Sequence, residues 1–327
     1  GKGAVLVAAV GNTEDDNVTL PGAYPHVLSV ASLDPLGRLS TFSTRGWWVD
    51  LAAPGEQILG PTAGGGLELR SGTSFATPLV ASICALVRTH MPEAGPDAVI
   101  ERVRMGALSI EDLQLPWNRG LLGRGRVDAF AALTKVTPAL RITSVHIQDE
   151  DADGAIEPGE VLGVSLDVTN HLDPSGPVEV DVRSDSPHVT VLGGTRILSS
   201  LDTGASASVG GLALRIAEDA PLHEAAVLRV DFRSTDGAYE DRDGFDLLLS
   251  PSYVTHESNP LLATVALGRV GHSAQVSAMV GDGGGFRYRR TADLLADACL
   301  MVGISESQVS DAARPGAAAG DFRAVNG

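Results

Sequence analysis

The hydrophobic pattern of the chain changes character near residue 138. Before it, residues 3–10 and 26–33 are continuous runs of Val, Ala, Leu and Ser, and "GWWVDLAAPG" at 46–55 is a third, each bounded by Gly, Pro or Asn/Asp clusters. An unbroken apolar run of strand length suits a strand buried on both faces. Between and after these runs, helical spacing predicts helices over 74–90, over 96–107 with Pro96 at a first helical position, and over 126–136. Alternating strands and helices predict an α/β three-layer unit, a parallel sheet with helices on both faces. After Pro138 the pattern becomes period two, in "LRITSVHIQ", "VLGVSLDVTN", "VEVDVRS" and "AAVLRVDFRS", separated by Asp, Gly, Pro and Ser turns. That texture predicts an all-β sandwich. The expected organisation is therefore an α/β unit over 1–137, a sandwich over 138–250 and a further β-rich domain over 251–327, entered through a linker at "SPSYVTHESNP".

The 74–90 segment is apolar nearly all round. Leu79, Val80, Ile83, Leu86 and Val87 are interleaved with Ala76, Ala81 and Ala85, the composition of a helix buried in a core. At its mouth stand Gly72, Thr73 and Ser74, where amide N–H groups lack helical partners. Taken alone, Gly-Thr-Ser reads as a helix cap; Ser74 reads equally as a hydroxyl placed beside free amide donors.

Charge changes the picture by exclusion. The 327 residues carry a formal charge of −17, divided unevenly: 13 acids against 11 bases in residues 1–135, leaving 28 against 13 in the remainder. An acidic second half without a Lys/Arg stripe excludes nucleic acid as the expected partner and favours cations. The longest apolar stretch is broken by Thr77, Pro78 and Ser82, so no membrane span is expected. Cys84 and Cys299 lie in different predicted domains and suggest neither a disulfide framework nor a metal site. The opening "GKGAVLVAAVGN" is short and strand-like, and reads as an interior strand rather than a signal peptide. A chain that begins on a buried strand is expected to have been cut at its front.

Five segments together resemble the subtilisin-like serine peptidases: "AAVGN" at 8–12, "YPHVLSVASLD" at 24–34, "AAPGEQI" at 52–58, "GTSFATPLVA" at 72–81 and "GRGRVDAFAAL" at 123–133. They occur in that family's order and cover about residues 1–135. The resemblance implies a secreted endopeptidase that acts on peptide or protein substrates. Ser74 would be its nucleophile, and the Asn12 side chain with the Ser74 amide would be its oxyanion donors. Ala9, Val10 and Gly11 would form one wall of the first specificity pocket. It also marks Tyr24–Pro25 for a cis peptide, where sequence by itself favours trans.

Physically, peptide hydrolysis puts negative charge on a carbonyl oxygen, which needs donors aimed at it, and a serine needs a histidine to take its proton and a carboxylate to orient that histidine. In the family the Asp and His segments precede the asparagine, and only eleven residues precede Asn12 here. None of the eight histidines has the Gly-Thr neighbours of the family's base. The expectation is an inactive fragment whose Asp and His lie in an upstream segment of the same precursor. An inactive relative serving as a binding module on a degenerate protease scaffold, and a site completed by another chain, stay open.

"DEDADGAIEPGE", residues 149–160, carries carboxylates at loop positions 1, 3, 5, 9 and 12 with Gly154 at position 6, the oxygen-ligand spacing of a calcium loop. Asp149, Asp151, Asp153, the Ala155 carbonyl, Glu157 and Glu160 would be the ligands. The flanks are strands rather than helices, so the alternatives are a calcium-binding β-turn and a solvated acidic hairpin. No cofactor is needed for the chemistry at Ser74.

Overall fold

In the computed structural model, side chains are described for residues 3–149, 156–221 and 224–249. Beyond these, backbone is described for short strands between 253 and 310. The first unit is built on a three-stranded parallel sheet in the order β1 (Leu6–Ala9), β2 (Val27–Leu33), β3 (Leu51–Pro54). Next come a two-stranded hairpin, β4 (Ile58–Pro61) and β5 (Leu67–Arg70), and three helices, α1 (Thr73–His90), α2 (Pro96–Met105) and α3 (Ala129–Thr134).

Residues alternate across the sheet as the pleat requires. Leu28, Val30, Leu51 and Ala53 pack on Ala76, Val80, Cys84 and Val87 of α1, on Val99 and Val103 of α2 and on Ala132 of α3. Ala31, Leu33 and Ala52 face the other way and are covered by Trp48, Val49, Ile110 and Leu122, which lie outside the helices. Among the described residues the helices thus occupy one face only, which corrects the expectation of helices on both faces. Predicted ends also shorten. The 46–55 run keeps strand geometry only over Leu51–Pro54, because Trp48 turns back into the core; Arg126 is held in bridges to Ala52 and Leu108, so α3 starts at Ala129 with Asp128 as its cap.

Helix α1 is not sheathed all round. Ala76, Val80, Cys84 and Val87 are buried, whereas Leu79 and Leu86 are 39% and 52% exposed, with Ala81 and Ala85 exposed beside them. Its composition suits burial on every side, but three strands and two helices cover only one stripe. The outer edge of β1 is likewise unpaired among the described strands, and Leu6 is 56% exposed. The cis peptide among the described residues is Leu20–Pro21, so Tyr24–Pro25 is trans.

Residues 140–249 form two four-stranded antiparallel sheets. One has the order β6 (Leu140–Gln148), β7 (Val161–Asn170), β11 (Ser206–Ile216), β9 (Val189–Leu192). The other is β10 (Arg196–Leu198), β8 (Val178–Ser184), β12 (Glu224–Ser234), β13 (Glu240–Leu249). Their apolar faces share one core, with Leu162, Leu166 and Val168 meeting Val180, Leu228 and Phe232. Further on, β14 (Tyr253–Ser258) occupies the predicted linker and pairs with β15 (Leu261–Ala266); β16 (Arg269–Val270) and β17 (Phe286–Tyr288) both pair with β15, and β18 (Val302–Ser305) pairs with β19 (Gln308–Ser310).

The α/β unit and the paired sheets are joined by packing and charge. Met105, the last residue of α2, belongs to the core of the two sheets. Beside it Arg104 is buried, forked onto Asp241 of β13 through Nη1–H···Oδ1 at 2.7 Å and through Nη2, while its Nε donates to Glu101 at 2.7 Å. Arg141 of β6 reaches Asp50 at 3.3 Å and Glu101 at 3.5 Å. Trp47 lies on Gly244 of β13, where a methyl group would stand 3.2 Å from the ring and 2.8 Å from the Leu228 carbonyl. Glycine admits that approach of indole to strand.

Candidate active site

The site forms where the loop after β1 meets the start of α1. Val10 anchors the loop: its amide donates to the Val30 carbonyl at 3.2 Å and its side chain is buried. Asn12 then reaches α1 from 61 residues away. Its Oδ1 accepts the Thr73 amide at 2.9 Å and the Thr73 hydroxyl at 3.0 Å. The α1 N-terminus therefore has no local side-chain cap; Gly72 is the capping position, and Asn12 supplies the acceptor in trans.

With both bonds on Oδ1, the amide plane of Asn12 is fixed and its Nδ2 is left as a donor with no acceptor among the described residues. The Ser74 amide is likewise without an acceptor there. Gly72 lies between them at φ 152°: a Cβ at this position would stand 3.7 Å from Asn12 Nδ2 and 3.8 Å from Ser74 N. The missing side chain leaves open the space both donors border. Two preset donors on one pocket are what a developing oxyanion requires. The Ser74 side chain is exposed.

Of the sequence-derived residues, Ser74, Asn12 and Gly11 come together; the Gly11 carbonyl accepts from the Thr44 amide at 3.0 Å and the Thr73 hydroxyl at 3.4 Å. Ala9 ends β1 half-buried, and Val10 can offer a substrate only its backbone. Thr73, which the sequence offers with Ser74 as a helix cap, instead donates its amide and hydroxyl to Asn12; that pairing spans 61 positions and no local pattern signals it.

No histidine among the described residues hydrogen-bonds to Ser74. His26 pairs with Asp97, His146 with Asp167 and His188 with Glu224, at 2.9, 2.8 and 2.6 Å. His90 closes α1, sixteen residues on from Ser74, about 24 Å along the axis. Burial lowers the pKa of His171 and raises that of the Cys84 thiol on α1 to about 11, which leaves Cys84 an inert core residue. Asp50 is buried and accepts from the Ser29 amide and hydroxyl; burial raises its carboxyl above the ordinary value despite Arg141.

Of the proposed calcium ligands, Asp151, Asp153 and Ala155 lie outside the described residues. Asp149 directly follows the last residue of β6, Glu157 is exposed, and the Glu160 carboxylate accepts the Glu157 amide at 3.1 Å in a turn with Gly159 at φ 88°. Among the described residues no group of three His, Cys, Asp or Glu is placed to hold a metal ion, and no helix is long and apolar enough to cross a membrane.

Residues 1–123 match the Subtilase family, Peptidase S8. The chain is 35% identical over 124 residues to the thermostable alkaline protease of Halalkalibacterium halodurans, covering 38% of this chain and 34% of that protein. It is 36% identical over 135 residues to the halolysin-like extracellular serine protease Nep of Natrialba magadii, covering 40% and 24%. It is 36% identical over 133 residues to thermitase of Thermoactinomyces vulgaris, covering 40% and 45%. Among solved structures, MycP1 from Mycobacterium smegmatis is 30% identical with a TM-score of 0.37, over 42% of this chain and 43% of that one. The chain spans between about a quarter and a half of the length of these relatives. Residues 1–123, the part that matches the Subtilase family model, carry Asn12, Thr73 and Ser74.

Proposed function

We propose that this chain is the nucleophile-bearing part of an extracellular subtilisin-like serine endopeptidase. The observation that carries the reading is the Asn12–Thr73–Ser74 arrangement, which orients one donor by two hydrogen bonds and leaves a second on the nucleophile's own amide. In this reading Ser74 Oγ attacks the scissile carbonyl, its proton passes to an imidazole, and the oxyanion is received by Asn12 Nδ2 and Ser74 N–H. The backbone of Ala9, Val10 and Gly11 lines one side of the acyl pocket. The imidazole and its carboxylate come from a polypeptide segment outside this sequence, seated on the open edge of β1 and the exposed Leu79–Leu86 stripe of α1. The paired sheets over 138–250 serve as an accessory β-sandwich, with calcium in the 149–160 loop.

The test is active-site labelling. A fluorophosphonate should label the full-length protein at Ser74, lose the label in Ser74→Ala, and leave the isolated chain unlabelled. A full-length protein that resists labelling while binding protein ligands would establish the second reading, a binding module on a protease scaffold. That alternative draws on the exposed Ser74, which has no base among the described residues.

A further inference from the structure

The β4–β5 hairpin leads into the nucleophile with only Ser71, Gly72 and Thr73 between. Its base is tied to the site: the Gln57 amide donates to Ser71 Oγ at 3.1 Å and the Gly72 amide to the Gly55 carbonyl at 2.8 Å. The register pairs Leu59 with Leu69 and Pro61 with Leu67, while Gly60 and Glu68 form the pair between them. Directly paired residues share a face and alternate pairs alternate faces, so Leu59, Pro61, Leu67 and Leu69 all lie on one side. On that side the three leucines are 61%, 68% and 62% exposed, while Glu68 and Arg70 pair with each other on the opposite side. Neither strand is paired with a third among the described residues, so both outer edges carry unpartnered backbone groups.

A row of leucines on an exposed two-stranded sheet is a liability in a solvated protein unless something occupies it. The shape selects the occupant: an extended polypeptide can satisfy a free strand edge with its backbone and lay alternate apolar side chains on the leucine face. We infer that this hairpin is an exosite for an apolar, extended segment of the polypeptide substrate, held apart from the bond that Ser74 attacks. The inference rests on the proteolytic reading only for the identity of the occupant as substrate. Binding itself needs no turnover. Preference for Leu- and Val-rich extended segments would direct the enzyme to unfolded chains, in which such segments are accessible.

Binding is measured on the full chain by fluorescence anisotropy with a labelled ten-residue Leu/Val-alternating peptide, against an isomeric-length Ser/Gln peptide. Leu67→Ser combined with Leu69→Ser changes only exposed side chains. The expected result is binding of the apolar peptide that weakens at least tenfold in the double variant, is unchanged in Ser74→Ala, and is absent for the polar peptide. Equal affinity in wild type and double variant would overturn the inference. So would concentration-dependent dimerisation that the double variant abolishes without any peptide binding, since the occupant would then be a second copy. Failure of Ser74 labelling in the full-length protein would instead refute the proteolytic reading and leave peptide binding at the hairpin standing.

Discussion

Replacing Arg104 by alanine tests whether the α/β unit and the paired sheets are held by one buried charge cluster. Arg104, Glu101 and Asp241 have side chains 2%, 4% and 0% exposed, and Arg104 supplies three charge-assisted hydrogen bonds to the two carboxylates. Removing it leaves two buried carboxylates whose remaining cations are less direct: Arg124 stands 3.8 Å from Asp241 and Arg141 stands 3.5 Å from Glu101. Breaking a buried pair on one side costs about 3–5 kcal/mol. For a unit of this size, at roughly 2–4 °C per kcal/mol, Tm should fall by about 6–20 °C.

The pH dependence should also change sign at this site. In the wild type, burial pushes Asp241 up and Arg104 more than offsets it, holding the carboxyl below its ordinary value. Its contribution is therefore present above the ordinary carboxylate range and lost as pH falls through the folded value. Without Arg104, burial should dominate and raise the carboxyl, so mild acid should stabilise the variant relative to neutral pH. The assay is urea unfolding followed by fluorescence of the tryptophans near the junction, at pH 5 and pH 7. A loss under about 1 kcal/mol, or the same pH response in both proteins, would refute the reasoning. Replacing all three residues by Met and Leu should recover most of the loss, because the cost lies in unpaired charge rather than in the absence of an ion pair.

In a catalytically complete full-length protein, Asn12→Ala should lower kcat by about 10²–10³ with KM little changed, the magnitude being that of the corresponding asparagine in subtilisin itself. Gly72→Ala should depress kcat in the same assay, because its methyl group enters the space between Asn12 Nδ2 and Ser74 N, at a φ of 152° that disfavours a side chain; unaltered turnover would disprove the placement of the oxyanion. A 138–249 fragment should melt below the full chain, since it loses Met105 from its core and the partners of Asp241; equal melting in scanning calorimetry would contradict this. If the 149–160 loop binds calcium, millimolar calcium should raise Tm and Asp151→Ala should remove the increment; no shift in the wild type would reduce the loop to a hairpin.

The sequence by itself determined the local order of this protein: apolar runs too continuous for a one-sided sheet, a helix start built of Gly72, Thr73 and Ser74, and the switch to period two after Pro138. These are legible because each depends on residues adjacent in the chain. Asn12 and Ser74, the proposed oxyanion donor and nucleophile, could be singled out for the same reason, as parts of short motifs. What only the tertiary structure decided is how distant residues constrain one another. Thr73 gains its role because Asn12 crosses 61 positions to meet it, and Arg104 can be buried because Asp241, 137 positions away, neutralises it. The composition of α1 suits burial on every side, yet burial is set by what packs against a helix, and one stripe of it faces water here. Composition fixes what a surface can bury; topology fixes what it does bury.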